Sequence, residues 1–352
     1  MPASDASAEL TFYAYHVREA LLARLPRGGP APEMYETLRV YPARTAGKAL
    51  RPALLMATCA ALGGDQDAAL DLAVGVEMLH NAFLIHDDIQ DRSLRRRGGP
   101  SLHVEYGEAA ALWAGDAMAV EAMSTLTDAA TRGGLPVATV LDEVQTAVRC
   151  ALIGQAQELV WSKQSSPDVT ASDYLAMVLR KTSWYSVILP CRLGSLAAGV
   201  VPLENRFVRF GTLLGAVLQL GDDVQGLLGT GDGDVAGGDL LEGKRSLPIL
   251  YALEDGELAA DLRHLLEEPA ESRWSKTDEA RELADRLENA APLDRARRDV
   301  MDLAEQARAE LALELVAAGP SAAATLLSDI IDYLSERCRG RSGREPGAAV
   351  TG

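Results

Sequence analysis

Aromatic side chains make up only 5% of this 352-residue chain, and its four cysteines, Cys59, Cys150, Cys191 and Cys338, are far apart with no metal-ligand spacing. A disulfide scaffold and a zinc ribbon are thereby excluded, and reduced thiols in a cytoplasmic protein are expected. No run of 18 uninterrupted apolar residues occurs, so no membrane-spanning segment is expected. Residues 1–9 carry neither a basic n-region nor an apolar h-region, so no secretion signal is read there. Basic charge is scarce as well: 34 Lys and Arg against 51 Asp and Glu leave a formal net charge of −17. Nucleic acid is therefore no candidate partner, and any anionic substrate must be met by local cations or by metal.

What the chain does have is Ala and Leu in abundance, which favours helices over strands and makes an all-α fold the expectation. Periodicity and breakers place helices at about residues 8–25, 32–41, 66–93, 108–130, 136–160, 170–200 and 204–228. Another helix continues from Lys48 and Arg51 through Met56, and Pro190 is expected to kink the 170–200 segment or shift a boundary there. Beyond residue 254 the chain is charged and helical. No linker interrupts residues 8–338, so one domain over 1–338 is expected, followed by a disordered tail, 339–352, rich in Gly, Arg and Pro.

The chemistry concentrates in His80-Asn-Ala-Phe-Leu-Ile-His-Asp-Asp-Ile-Gln-Asp91, followed by Arg92, Arg95, Arg96 and Arg97. A helix puts Asp87 and Asp91, four apart, on one face, and Asp88 can reach the same point by rotamer choice. An acidic cluster alone is ordinarily a solvated face. This one ends an apolar segment, Ala82 to Ile85, where uncompensated charge is costly. Hard oxygen ligands suit Mg²⁺, which usually takes one or two carboxylates and leaves the rest of its shell to water and phosphates. The arginines would bind the phosphate oxygens that the metal does not.

A second pair, Asp222-Asp223, closes a second apolar helix behind Gln219. Lys48 and Arg51, cations in a first helical turn, oppose the helix dipole unless an anion binds there. Lys181-Thr182 interrupts an apolar stretch, and Lys244-Arg245 precedes Pro248. Asp232-Gly-Asp234 lacks the later bidentate Glu of a calcium loop.

Together these five motifs, in this order over residues 45–250, resemble the trans-isoprenyl diphosphate synthase (polyprenyl synthetase) family. The resemblance implies an all-helical bundle around a deep central cavity, as a homodimer. It implies that Asp87, Asp88 and Asp91 hold two Mg²⁺ ions on an allylic diphosphate that Arg96 also contacts. Asp222 would hold a third, with Asp223 alongside. Lys48, Arg51, His80 and Arg97 would bind isopentenyl diphosphate without metal, and Lys181, Thr182, Gln219 and Lys244 would line the allylic side.

Ionising a C–O bond needs fixed positive charge where negative charge develops, and these residue types supply it. No protein base is required, because the departing diphosphate can take the proton. This accounts for the lack of any Ser/His/Asp or Cys/His arrangement. In the family, bulk one turn below the first motif stops chain growth. Phe83 is bulky, Ala82 is small, and Leu79 adds a deeper floor, so a C20 product, geranylgeranyl diphosphate, is expected from a dimethylallyl, geranyl or farnesyl primer.

The sequence departs from the family pattern twice. Gly226 stands where the second motif often ends in aspartate, as in many bacterial geranylgeranyl diphosphate synthases. Asp234 stands where a lysine is common. Two other readings follow: a terpene cyclase on the same scaffold, or a non-catalytic partner subunit. The intact Lys48, Arg51, His80 and Arg97 set speaks against the first, and the intact first motif against the second.

Overall fold

The computed structural model describes residues 4–44, 49–163, 169–230, 235–254 and 256–339. Lys48, Asp232, Asp234 and the tail from 340 onward, all singled out above, lie outside the described residues. In chain order the elements are α1 (Ser4–Arg24), α2 (Pro32–Ala43), α3 (Leu50–Ala61), α4 (Gln66–Gln90), the two-residue strands β1 (Arg95–Arg96) and β2 (Gly99–Pro100), α5 (Leu102–Tyr106), α6 (Glu108–Arg132) and α7 (Val137–Lys163). There follow α8 (Ala171–Val178), a π-helical segment (Leu179–Ile188), α9 (Leu189–Ala197), α10 (Val208–Leu228), α11 (Gly238–Glu242) and α12 (Leu247–Glu254). The chain then continues through α13 (Gly256–Glu267), α14 (Ala270–Arg273), α15 (Thr277–Glu288), α16 (Ala291–Glu314) and α17 (Ala322–Glu336), ending in a 3₁₀ turn (Arg337–Arg339). The fold is all-α, as expected.

Helix α4 is the axis of the bundle. Asp65 caps it, accepting from the Asp67 amide at 3.0 Å. Every residue from Leu72 to Leu79 is buried, the pattern of a helix enclosed on all sides. By length and composition Gln66–Gln90 could cross a membrane, yet 67% of its apolar window is buried inside the fold. It packs most extensively on α6, where Gly75 admits Leu126: a Cβ on Gly75 would lie 2.6 Å from Leu126 Cγ.

The end of α4 falls at Gln90, three residues short of the helix read from sequence. Ser93 N donates to Asp88 O (2.9 Å) and Arg92 N to Ile89 O (3.4 Å), the paired bonds of a Schellman motif. Arg92 occupies the left-handed position with φ +56°, where glycine is the usual residue. Residues 95–96 and 99–100 then make a ribbon, with Arg95 opposite Pro100 and Arg96 opposite Gly99. Its two-residue turn is Arg97-Gly98, both at positive φ (+50° and +76°), as a type I′ turn demands. An arginine there costs on the order of 1 kcal/mol against glycine. Strain of this kind collects at functional sites.

Of the two outcomes expected at Pro190, the structure has the shifted boundary: a π-helix ends at Ile188, and α9 starts at Leu189 with Pro190 in its first turn. π-helices are rare and frequent at functional sites. This one is clamped by glycines: a Cβ on Gly154 of α7 would lie 2.4 Å from Lys181 N, and one on Gly215 of α10 2.2 Å from Ser183 Oγ. Gly215→Ala is therefore expected to cost about 1–3 kcal/mol by overpacking, read as a lowered melting temperature.

The core has a large cluster, spanning α1 to α10 with α16 and α17, and a smaller one around α11, α13 and α15. Helix α10 contributes to both, with Leu214 and Val217 in the first and Val224 and Leu227 in the second.

Candidate active site

The three aspartates of the first motif sit in three different environments. Gln155 of α7 donates to Asp87 Oδ1 at 2.9 Å. Burial alone would raise the pKa of Asp87, but Lys181, Lys244 and Arg96, with the Gln155 bond, hold it below the usual range. Asp91 goes the other way. Burial and the nearby Asp87 charge push it well up, and Lys244 Nζ, 3.9 Å from its Oδ2, offsets only part of this.

Asp88 does not share their surface. It is 1% exposed, accepts the Tyr41 hydroxyl, and takes both Nε and Nη2 of Arg96 on Oδ1 at 2.8 and 2.5 Å. Burial raises its pKa more than Arg96 and Tyr41 lower it. Both Asp88 oxygens thus have partners, Tyr41 and Arg96, about 100° round the helix from Asp87.

The facing wall comes from α7, the π segment, α10 and the loop after α11. Lys181 Nζ pairs with Glu158 of α7. Burial would lower the lysine's pKa, but Glu158, Asp87 and Asp91 raise it, so it stays charged. Thr182 donates to Gln219 Oε1 at 2.5 Å, and Gln219 Nε2 donates to Asp223 Oδ1 at 2.8 Å. Tyr174 donates to Asp223 Oδ2 at 2.6 Å. Burial lifts Asp223 to about 6 in spite of both bonds. Lys244 Nζ lies 2.5 Å from Glu242, 3.7 Å from Asp239 and 3.9 Å from Asp91, so it ties the first motif to α11.

The two aspartates of the second motif diverge. Asp223 faces this wall, whereas the Asp222 side chain is 50% exposed and accepts from Arg337 Nη2 at 2.7 Å. The same nitrogen reaches Gln225 Oε1 at 2.7 Å. Gly226 has a spatial reason: a Cβ there would lie 2.5 Å from Asp239 Oδ1. Where the motif often ends in aspartate, the Asp239 carboxylate fills the space from another helix.

Arg51, His80 and Arg97 gather on the other side of α4. Arg51 Nη2 donates to Ser186 Oγ at 2.8 Å, and its guanidinium lies 4.6 Å from the Tyr185 ring centroid. Tyr185 Oη is 2.5 Å from His80 Nδ1. Arg97 Nη1 donates to Asn81 Oδ1 at 3.2 Å, and Nη2 is 3.9 Å from Glu77, a buried carboxylate that burial raises and Arg97 and Arg51 lower. Arg97, Glu77 and Asn81 line a small open pocket with Val17, Pro42 and Ala49. Of the product-length residues, Leu79 and Ala82 are buried at 3% and 1%, and Phe83 packs edge-on against Tyr185 at 5.0 Å.

Sequence reading missed Tyr41, Gln155, Glu158, Tyr174, Tyr185 and Arg337. Only Gln155 and Glu158 left a signal, as polar residues at the otherwise apolar inward face of α7.

Among the described residues no three His, Cys, Asp or Glu side chains form a ready-made metal site. The donor set nonetheless fits Mg²⁺. Asp87 and Asp91 repel each other, as the raised Asp91 shows, and Mg²⁺ needs only one or two carboxylates when phosphate completes its shell.

Two aspartate-ended helices, α4 and α10, thus face Lys244, with a separate set of polar and cationic residues on the other side of α4. Residues 32–284 match the family described as polyprenyl synthetase. A geranylgeranyl diphosphate synthase of Methanosarcina mazei is 36% identical over 244 residues, 68% of this chain and 74% of that protein. The geranylgeranyl pyrophosphate synthetase structure from Pyrococcus horikoshii superposes with a TM-score of 0.78 at 26% identity, covering 95% of this chain and 98% of that one. A polyprenyl synthase from Caulobacter crescentus, complexed with calcium and isoprenyl diphosphate, gives 0.77 at 25% identity, covering 95% and 97%. The chain belongs to the polyprenyl synthetase family.

Proposed function

We propose that the protein condenses isopentenyl diphosphate with an allylic diphosphate to give geranylgeranyl diphosphate, C20. The observation that carries this is one helix, α4, serving two charged sites: Asp87 and Asp91 toward Lys181 and Lys244, and His80 toward Arg51 and Arg97. Two anionic substrates need two such sites.

The C1–O bond of the allylic substrate breaks, and its electron pair leaves with diphosphate. Asp87 and Asp91, with Asp222 on α10, would hold Mg²⁺, three ions by the family resemblance. Bound there, Mg²⁺ supplies charge to the leaving oxygens. Arg96, held by Asp88, and Lys181 and Lys244, with Thr182 and Gln219 beside them, meet the same diphosphate. Asp223 keeps Gln219 in place. Lys48, Arg51, His80 and Arg97 hold isopentenyl diphosphate while its terminal alkene carbon bonds to the allylic C1. The C2 proton then passes to the released diphosphate, and Leu79, Ala82 and Phe83 set how far the chain grows.

A single domain over 1–338 is supported by α10 joining both cores. A homodimer is supported by exposed apolar side chains on α6 and α7, among them Val120, Leu152 and Ile153. A cytoplasmic location is supported by four free cysteines.

Incubation with Mg²⁺, isopentenyl diphosphate and dimethylallyl, geranyl or farnesyl diphosphate, read by mass spectrometry, tests the reading. A C20 diphosphate is expected. A cyclic hydrocarbon made from the allylic substrate alone would overturn it in favour of a cyclase.

A further inference from the structure

Tyr185 belongs to no motif, yet it joins the cation set behind α4 to the product-length residues. Its ring is buried, at 5% exposed, with the Arg51 guanidinium 4.6 Å from the centroid and Phe83 edge-on at 5.0 Å. Its hydroxyl lies 2.5 Å from His80 Nδ1. A neutral imidazole has one N–H and one bare nitrogen, and the partner of one nitrogen decides which is which. If Nδ1 carried the proton, Nε2 would offer a lone pair to any anion, which is repulsive.

We infer that Tyr185 is a positioning residue: its hydroxyl donates to His80 Nδ1 and so fixes the tautomer whose Nε2–H donates to the isopentenyl diphosphate. The inference rests on the assignment of His80 to that substrate. Both partners stay neutral around pH 7, which the device requires. Burial, then Arg51, Arg97 and Arg96, keep the His80 pKa well below its ordinary 6.5, and burial keeps the Tyr185 phenol well above its ordinary 10. The Arg51 guanidinium over the ring makes the phenol a better donor, and Arg51 is itself held by Ser186 one residue further on. The π segment thus presents two hydroxyl groups side by side, Tyr185 to the neutral His80 and Ser186 to Arg51.

Tyr185→Phe keeps the ring, its contact with Phe83 and its place beneath Arg51, and removes only the donor. The Michaelis constant for isopentenyl diphosphate is expected to rise about five- to tenfold, the scale of one hydrogen bond, with kcat changed less than about threefold. Glutamine has a fixed N–H donor and no tautomer, so in a His80→Gln background Tyr185→Phe should add nothing. ¹⁵N spectra of the wild-type protein, with the His80 signal assigned through His80→Gln, should show Nδ1 bare and Nε2 protonated. That measurement needs no substrate and does not depend on Tyr185→Phe folding.

An Nδ1-protonated His80 would overturn the inference, as would a Tyr185→Phe enzyme with wild-type affinity when His80→Ala has lost it. If His80→Ala itself leaves the Michaelis constant for isopentenyl diphosphate unchanged, the assignment of His80 falls and takes the inference with it.

Discussion

Asp87→Ala is expected to lower kcat on the order of 10³-fold or more at saturating Mg²⁺, the scale seen when a preorganised charge-stabilising group is removed. The carboxylate sits where Lys181, Lys244 and Arg96 converge, so its loss removes the group proposed to hold Mg²⁺ and leaves those cations without its counter-charge. Folding should change far less. The Gln155 bond is lost, but Asp91 is relieved of the charge that, after burial, does most to raise it. The two effects oppose each other, and a shift in melting temperature of a few degrees is expected.

The pH dependence supplies a second readout. Asp91 has a folded pKa raised above its unfolded value near 3.8, so the metal-free protein gains stability as pH falls through the folded value toward 3.8. In Asp87→Ala that gain should shrink, because the charge raising Asp91 is gone. Activity within tenfold of wild type would rule out Asp87 as a metal ligand, and an unchanged pH–stability curve would rule out the coupling.

Phe83→Ala is expected to shift the main product from C20 to longer chains by at least one five-carbon unit. Phe83 lies one turn before Asp87 on α4, and its neighbours below, Leu79 and Ala82, are buried. Removing the ring leaves Tyr185 with an open edge and Ala82 with no bulk beside it, so the growing chain meets no floor until Leu79. Because Phe83 is only partly buried, the stability cost should fall below the roughly 3–5 kcal/mol of a fully buried Phe→Ala change. Product lengths from one primer, resolved by mass spectrometry, decide the matter. An unchanged distribution would place the floor elsewhere.

The all-α class and the position of the first motif were legible because both are local: helix composition and an i, i+4 pair need only a few consecutive residues. Contacts between distant elements were not. Tyr185 and His80 are 105 residues apart, Arg337 and Asp222 are 115 apart, and no spacing rule links them. The split between Asp87 and Asp88 was hidden for a related reason. A rotamer could bring both to one point, and Tyr41, arriving from α2, together with Arg96 on the ribbon turns Asp88 away. The π segment left no trace either, and the close packing that Gly154 and Gly215 allow around it lies on two other helices. At Arg97-Gly98-Gly99-Pro100 the break was visible but the ribbon was not, because arginine is not a residue that the first position of a type I′ turn favours.

Arg337 gives the last described turn, Arg337–Arg339, a practical weight. Its guanidinium lies on Asp222, and Cys338 beside it is buried at 2% against Gly221. A truncation, an affinity tag or a protease site introduced after Leu334 is therefore a change to the second aspartate motif, whatever its intended purpose. Handles for purification or immobilisation belong on an exposed surface far from α17, and a preparation clipped at Arg337 should be counted as a different enzyme.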